Sequence, residues 1–166
     1  DHLFRGDTQF CDETSQIFPL NAYGVSKAAA EREVMSTSPH ALVVRTNFYG
    51  WGPAYRQSFS DWILESIGSG RKITLFDDVY YTPILVSRLA HTVHALVDSD
   101  AAGVFNVVGD SRMSKYEFGC RLACRFGLDA SLISPGSIDA SANLVMRPLD
   151  MSLSNRKASK FLGQTL

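Results

Sequence analysis

Apolar residues follow two different patterns along this chain, and the two patterns alternate. Short uninterrupted apolar runs predict buried strands, and these runs lie at 41–46 (ALVVRT), 72–76 (KITLF) and 103–109 (GVFNVVG). Helix-forming composition, or apolar residues at every third or fourth position, predicts helices over 22–35, 58–68, 84–100, 114–127 and 155–163. This mixture of strands and helices predicts the α/β fold class.

The predicted helix starts carry residues that cap helices. Asn21 is suited to cap the first helix, because its side-chain oxygen can accept a hydrogen bond from an N–H group of the first turn. Ser114 and Glu117 have the spacing of a capping box at the start of the fourth helix. Residues 1–20 and most of 128–150 show no sustained period, so both segments are predicted to be loops.

The composition argues against several classes of partner. The chain has 166 residues, 45% of them apolar, which is enough for a domain with a hydrophobic core. The net charge is −1 and the Lys and Arg residues are scattered, so neither nucleic acid nor an acidic membrane surface is an expected partner. No apolar run has the length of a membrane span. The three Cys residues show no CxxC spacing, which favours reduced thiols over a disulfide framework. The expected location is therefore the cytoplasm.

The stretch YGVSK places Tyr23 four positions before Lys27 at the start of the first predicted helix. Residues four apart lie on one helix face, with their Cβ atoms about 5–6 Å apart. An ammonium group stabilises a phenolate, so such a pair can act as a general acid or base toward a carbonyl or an alcohol. The same spacing also occurs by chance in many helices, and the alternative interpretation is a polar helix start.

The surrounding sequence adds context to this pair, because the helix leads into a predicted parallel strand, and such strands bind ligands at their carboxyl ends. The chain resembles the extended short-chain dehydrogenase/reductases, most closely the dTDP-4-dehydrorhamnose reductase branch, over nearly its whole length and in the family's order. The matching segments are DHLFRGD (1–7), DET (12–14), PLNAYGVSKAAAE (19–31), VVRTNFYGWG (43–52), YTPI (81–84), LA (89–90), GVFNVVG (103–109) and RPLDMSLSNRKASKFLG (147–163).

The resemblance implies a role for each matching residue of the site. Tyr23 would be the catalytic acid that protonates the sugar oxygen as a hydride reaches the keto carbon. Lys27 would support that proton transfer and hydrogen-bond the nicotinamide ribose, so both residues would also contact the cofactor. The resemblance further assigns Thr46 to the cofactor, and Asn47, Tyr49 and Arg147 to the nucleotide-sugar substrate. A loop-capping amide is the alternative for Asn47, and a solvent-exposed loop charge is the alternative for Arg147.

The resemblance also implies the fold and the domain organisation. Residues 1–70 would form the C-terminal part of a Rossmann-like parallel sheet. Residues 71–166 would form mainly a small α/β substrate-binding region, with some segments returning to the sheet. The chain contains neither GxGxxG nor GxxGxxG, and the Ser or Thr of the family's catalytic set would precede Asp1. The chain is therefore expected to be a C-terminal half that is inactive alone, and binding of NADP or NAD is expected to need the other half.

The function implied for the whole protein is reduction of the 4-keto group of a dTDP-deoxysugar by an NAD(P)-dependent reductase of dTDP-rhamnose biosynthesis. Two alternatives stay open. One is a nucleotide-sugar epimerase or dehydratase of the same family, which Asn47 favours. The other is a non-catalytic regulatory relative that binds ligands without turnover. No metal site is predicted, because His91 and His94 have no third ligand at a recognisable spacing.

Overall fold

A computed structural model describes residues 2–140 and 145–166, and its mixed helices and strands confirm the predicted α/β class. Asp1 and residues 141–144, which fall in segments predicted to be loops, lie outside the described residues. The helices are α1 (Ala22–Thr37), α2 (Phe59–Gly68), α3 (Val86–Asp98), α4 (Lys115–Arg125) and α5 (Arg156–Leu162). The strands are β1 (Leu42–Arg45), β2 (Phe48–Tyr49), β3 (Ile73–Phe76), β4 (Tyr80–Tyr81), β5 (Ile84–Leu85), β6 (Gly103–Asn106), β7 (Met113–Ser114) and β8 (Ile133–Gly136).

The strands pair two by two, and most pairs are parallel. β1 pairs with β6 in a register that sets Leu42 opposite Gly103. β3 pairs with β8, and β2 with β5, also in parallel. β4 and β7 form an antiparallel pair. Because β6 comes late in the chain, the second half of the sequence returns to the strand that follows α1. The domain division at residue 70 stays a prediction.

Apolar side chains gather in two main clusters, each packed against a different strand pair. One cluster lies among α2, α4, β3 and β8, with Ile63 and Phe118 buried in it. The other lies beside β1 and β6, where α3 and α5 contribute Leu96 and Ala158, both fully buried. Each cluster covers one strand pair with two helices, which is how an α/β fold buries its strands.

The two predicted helix caps are confirmed in detail. The Asn21 side chain accepts a hydrogen bond from the Gly24 N–H at 2.9 Å. Ser114 and Glu117 form both hydrogen bonds of a capping box at the start of α4. These contacts involve residues only three apart in sequence, which is why the sequence alone predicts them.

Two predicted elements differ in the structure. The helix predicted over 84–100 begins at Val86, because Ile84 and Leu85 pair with β2 as strand β5. The segment 128–150, predicted to be a loop, contains β8, whose partner β3 lies far away in sequence. Pro135 and Gly136 are poor strand formers, so the local sequence gives no strand signal there.

Strand β1 differs from its prediction in one respect. The run 41–46 predicts a strand that is apolar on both faces, yet Arg45 lies inside β1 and is only 6% exposed. Its guanidinium forms two hydrogen bonds to the carboxylate of Glu31 on α1. Gly24 is the one buried residue of α1, so this ion pair is a main attachment of that helix to the described part of the chain.

Among the described residues, no helix combines the length and the apolar composition needed to cross a bilayer. Within 2–140 and 145–166, no three His, Cys, Asp or Glu side chains form a group that could hold a metal ion. His91 and His94 are both exposed on α3.

We expect the isolated chain of residues 1–166 to self-associate. In the part of the chain that the structure describes, β1 pairs with β6 on one side and has no strand on the other. An unpaired strand edge is a template for pairing with another chain. Light scattering over a concentration series measures the effect, and a constant monomer mass across that series would contradict it.

Candidate active site

The first two turns of α1 bring Tyr23 and Lys27 together at the carboxyl end of β1. The Lys27 Nζ atom lies 5.6 Å from the centre of the Tyr23 ring, so both side chains share one helix face. They line a groove of about 470 Å³, together with Thr46 and Asn47, which directly follow β1. Tyr23 is 55% exposed and is not part of an apolar core. The predicted geometry of the pair is therefore confirmed.

The start of α1 packs closely against the first residues of the chain. A Cβ atom on Gly24 would approach the backbone oxygen of His2 to 2.3 Å, so this contact requires glycine. The His2 ring lies edge-on to the Tyr23 ring, with 5.4 Å between ring centres. Its Nδ1 atom lies 3.0 Å from the side-chain nitrogen of Asn21, the helix cap. Burial lowers the pKa of His2 below its usual value, which favours the neutral ring beside Tyr23.

The middle of α1 is fixed by the ion pair between Glu31 and Arg45. The two hydrogen bonds measure 2.6 and 2.9 Å, and both side chains are largely shielded from solvent. The Arg45 guanidinium also lies 5.4 Å from the centre of the Phe4 ring. Because Glu31 is four residues after Lys27, one turn of helix connects this ion pair to the Tyr23–Lys27 pair. Arg45 thus positions the candidate site without lying in its reacting part.

Thr46 and Asn47 bring unpartnered polar atoms to the groove. The Asn47 side chain is 5% exposed, and its Oδ1 atom accepts hydrogen bonds from the N–H and the hydroxyl of Thr82, both at 3.3 Å. Among the described residues, neither Asn47 Nδ2 nor Thr46 Oγ1 has a hydrogen-bond partner. Buried polar atoms are rarely left without partners in native proteins, so these two fit a site that binds a polar ligand.

A second cavity, of about 800 Å³, adjoins the groove and has a different character. Its walls include the aromatic side chains of Tyr49, Phe59 and Trp62. Its charged lining comes from Arg56, Lys115 and Arg147, with His2 beside them, and no Asp or Glu is among its described lining residues. Aromatic walls with an excess of positive charge suit a ligand that joins a planar ring to anionic groups.

The predicted site residues therefore divide between two spaces. Tyr23, Lys27, Thr46 and Asn47 line the groove, and Tyr49 and Arg147 line the second cavity. Three residues line both spaces, namely Phe48, Tyr81 and Lys115. These three residues, His2 and the Glu31–Arg45 pair are not among the site residues predicted from the sequence.

Lys115 is the charged residue at the junction of the two spaces. It is the first residue of α4, and its Nζ atom lies 3.3 Å from the centre of the Tyr81 ring. Burial lowers the pKa of Lys115 to about 8. Burial also raises the pKa of Tyr81, whose hydroxyl has no partner among the described residues. A Lys directly after the N-cap of a helix normally looks like an exposed position, so local sequence carries no signal for this placement.

Comparisons with known proteins identify the family of this chain. A family model described as the RmlD substrate binding domain matches residues 1–166. The chain belongs to this family. Its match to the whole chain confirms the resemblance to the dTDP-4-dehydrorhamnose reductases that the sequence segments show.

Three curated proteins are similar in sequence to this chain. A probable low-salt glycan biosynthesis reductase of Haloferax volcanii is 31% identical over 137 residues, covering 80% of this chain and 46% of that protein. The methionine adenosyltransferase 2 subunit beta of Danio rerio is 27% identical, covering 92% and 50%. The dTDP-4-dehydrorhamnose reductase of Salmonella typhimurium is 24% identical, covering 86% and 50%. The chain thus spans about half the length of these relatives.

A solved structure with the same fold is the dTDP-4-dehydrorhamnose reductase of Bacillus anthracis in complex with NADP. The two folds superpose with a TM-score of 0.87 at 23% sequence identity, over 98% of this chain and 57% of that one. This likeness confirms the Rossmann-like α/β fold of the RmlD domain described above.

Proposed function

We propose that the whole protein carrying this chain is an NAD(P)-dependent reductase that converts the 4-keto group of a dTDP-deoxysugar to an alcohol. The proposal rests on one observation, which is that the groove and the second cavity adjoin each other. A groove holding the Tyr23–Lys27 pair opens beside a cavity with aromatic walls, three cationic side chains and no described carboxylate. A nucleotide sugar has the matching parts, because its base is planar, its diphosphate is anionic and its sugar carries the reacting carbonyl.

The proton chemistry belongs to Tyr23. Reduction of a ketone leaves a negative charge on the carbonyl oxygen, and a positioned acid must supply a proton to it. Tyr23 is half exposed and lines the groove, so its hydroxyl can reach a substrate placed there. The ammonium of Lys27 lies on the same helix face and stabilises the phenolate that remains. His2 lies against the Tyr23 ring, and burial lowers the pKa of His2, which disfavours a competing charge there.

The residues of the groove fit a nicotinamide cofactor. The hydroxyl of Thr46 lacks a partner among the described residues, and Lys27 offers an ammonium group beside it. These are the two groups that would hold the nicotinamide ribose. When bound, NADP or NAD in its reduced form supplies the hydride for the reaction.

The second cavity would hold the nucleotide end of the substrate. Arg147 and Arg56 provide guanidinium groups, which pair well with phosphate oxygens. Tyr49 and Trp62 provide flat walls for a pyrimidine base. Asn47 borders the groove, where its free amide N–H group would face the sugar. The proposal places the protein in the cytoplasm and in dTDP-rhamnose biosynthesis.

The test is a reduction assay on the whole protein with a dTDP-4-dehydro-6-deoxysugar and either NADPH or NADH. We expect one nicotinamide to be oxidised for each sugar converted, and the product to carry a new hydroxyl at C4 when examined by NMR. Conversion of the sugar without net oxidation of the nicotinamide would contradict the proposal and point to an epimerase or a dehydratase.

A second candidate is a regulatory protein that binds the same ligands without turnover. This candidate is favoured by the sequence similarity to the methionine adenosyltransferase 2 subunit beta of Danio rerio, which extends over 92% of this chain. This candidate predicts calorimetric binding of NADP or of dTDP to the whole protein with no sugar product. Detection of the C4 alcohol would rule it out.

We also expect residues 1–166 alone to show no reductase activity and to bind NADPH weakly. A dinucleotide needs its diphosphate held as well as its nicotinamide, and the sequence contains no glycine-rich phosphate loop. Calorimetry on the isolated chain tests this expectation. Micromolar affinity would contradict it and would require a phosphate site elsewhere in these residues.

A further inference from the structure

We propose that Lys115 binds the diphosphate of the nucleotide sugar, at the place where the groove and the second cavity meet. This inference rests on the proposed function, because it assigns one contact within the same substrate site. It concerns a residue that neither the family motifs in the sequence nor the predicted site residues include.

Lys115 lies where the groove and the second cavity meet. It is one of three residues that line both spaces, and the other two, Phe48 and Tyr81, carry no charge at neutral pH. A ligand that reaches from the Tyr23 groove into the aromatic cavity must therefore pass Lys115. In a nucleotide sugar the diphosphate joins the sugar to the nucleoside, so it is the part of the ligand that occupies the junction.

No carboxylate among the described residues forms a salt bridge with Lys115. Three salt bridges join described residues, and Lys115 takes part in none of them. Glu31 is the only carboxylate among the described residues that line either space, and it is already paired with Arg45. The Lys115 ammonium contacts aromatic rings instead, at 3.3 Å from the centre of Tyr81 and 5.4 Å from that of Phe59.

Such an ammonium group is poorly compensated by the protein itself. Lys115 is partly buried, and a cation drawn partly out of water needs a partner, since ring faces supply only part of what water supplied. The lowered pKa of Lys115 reflects this shortage, since it measures how far burial disfavours the charged form. A diphosphate would supply the missing negative charge and acceptor oxygens, and Arg147 in the same cavity would contact the same group.

Calorimetry on the whole protein tests the contact through binding alone, without turnover. We expect Lys115→Met to weaken the affinity for dTDP by about 10- to 100-fold, the usual value of a hydrogen bond to a charged group. The affinity for thymidine, which has no phosphate, should stay within about 3-fold. Lys115→Arg should restore most of the loss, because it keeps the charge.

Lys157→Met is the matched control. Lys157 also lies over an aromatic ring, 4.2 Å from the centre of Phe105, but it lines neither the groove nor the second cavity. We expect this variant to bind dTDP like the parent. An equal loss of dTDP affinity in Lys157→Met, or an equal loss of thymidine and dTDP affinity in Lys115→Met, would overturn the inference.

A measurement on the unmodified protein decides the matter if Lys115→Met does not fold. Reductive methylation followed by mass spectrometry reports the accessibility of each lysine amine. We expect dTDP to protect Lys115 but not Lys157, and we expect thymidine to protect neither. Absence of protection by dTDP would overturn the inference.

The outcomes also separate this inference from the proposed function. If the parent binds dTDP and reduces the sugar while Lys115→Met binds dTDP equally well, the inference fails and the proposed function stands. If the parent binds neither dTDP nor the nucleotide sugar, both fail.

Discussion

Tyr23→Phe in the whole protein is expected to lower kcat by about 10²- to 10⁴-fold, the usual contribution of a positioned general acid. The substitution removes a single hydroxyl from a side chain that is half exposed in the groove, so the fold and the cofactor affinity should change little. Steady-state kinetics with the nucleotide sugar, combined with calorimetry for NADPH, measures both effects.

Lys27→Met should give a different pattern from Tyr23→Phe. Loss of the ammonium beside the Tyr23 ring should lower kcat, and loss of a group proposed to hold the ribose should also weaken cofactor binding. Tyr55→Phe is the matched control, because Tyr55 is 90% exposed and outside both spaces, and it should leave kcat unchanged. A Tyr23→Phe variant that keeps kcat within a few-fold of the parent would show that YGVSK is only a helix start.

Arg45→Met is expected to lower the free energy of unfolding by about 3–5 kcal/mol, because it leaves the shielded carboxylate of Glu31 without its partner. Arg5→Met is the matched control. Arg5 and Asp7 form an ion pair in which both side chains are 64% exposed, and such pairs contribute about 0–1 kcal/mol. Urea denaturation of the whole protein and both variants measures the contrast.

A double variant tests whether the loss comes from the unpaired charge. Replacing Arg45 and Glu31 together by Met should recover much of the stability lost in Arg45→Met, since no buried charge then remains alone. If Arg45→Met costs no more than Arg5→Met, the ion pair does not hold α1 in place. The kcat of Arg45→Met should also fall, because α1 carries Tyr23 and Lys27.

Local signals explain which elements could be predicted from the sequence. The cap at Asn21, the capping box at Ser114 and the Tyr23–Lys27 spacing all depend on residues within one helical turn of each other. Their geometry follows from the helix itself, whatever surrounds it. The longer apolar runs were also sufficient to predict β1, β3 and β6.

The parts that could not be predicted depend on contacts between distant segments. Strands β2, β4, β5 and β7 have two residues each, too few to show a period, and each exists because of a partner elsewhere in the chain. Arg45 and Lys115 are charged residues that local sequence would place on the surface. Their positions inside the protein are set by Glu31 and by Tyr81, which come from other elements.

The sequence also does not reveal which of the proposed substrate residues lie together in space. The resemblance assigns Asn47 and Tyr49 to one substrate site, and they are two positions apart in sequence. The structure places Asn47 in the groove with Tyr23 and places Tyr49 in the second cavity. Phe48, which lies between them in sequence, lines both spaces. The division of the candidate site into a groove and a second cavity is visible only in the structure.

The pairing of the strands has a consequence for how this chain acquires its structure. No strand pair between described residues joins consecutive strands, and Leu42 meets Gly103 just as Ile73 meets Ile133, about sixty residues further along. Such long loops must close before the contacts that stabilise them can form, which slows folding. During synthesis on the ribosome, β1 therefore cannot pair with β6 until β6 has emerged.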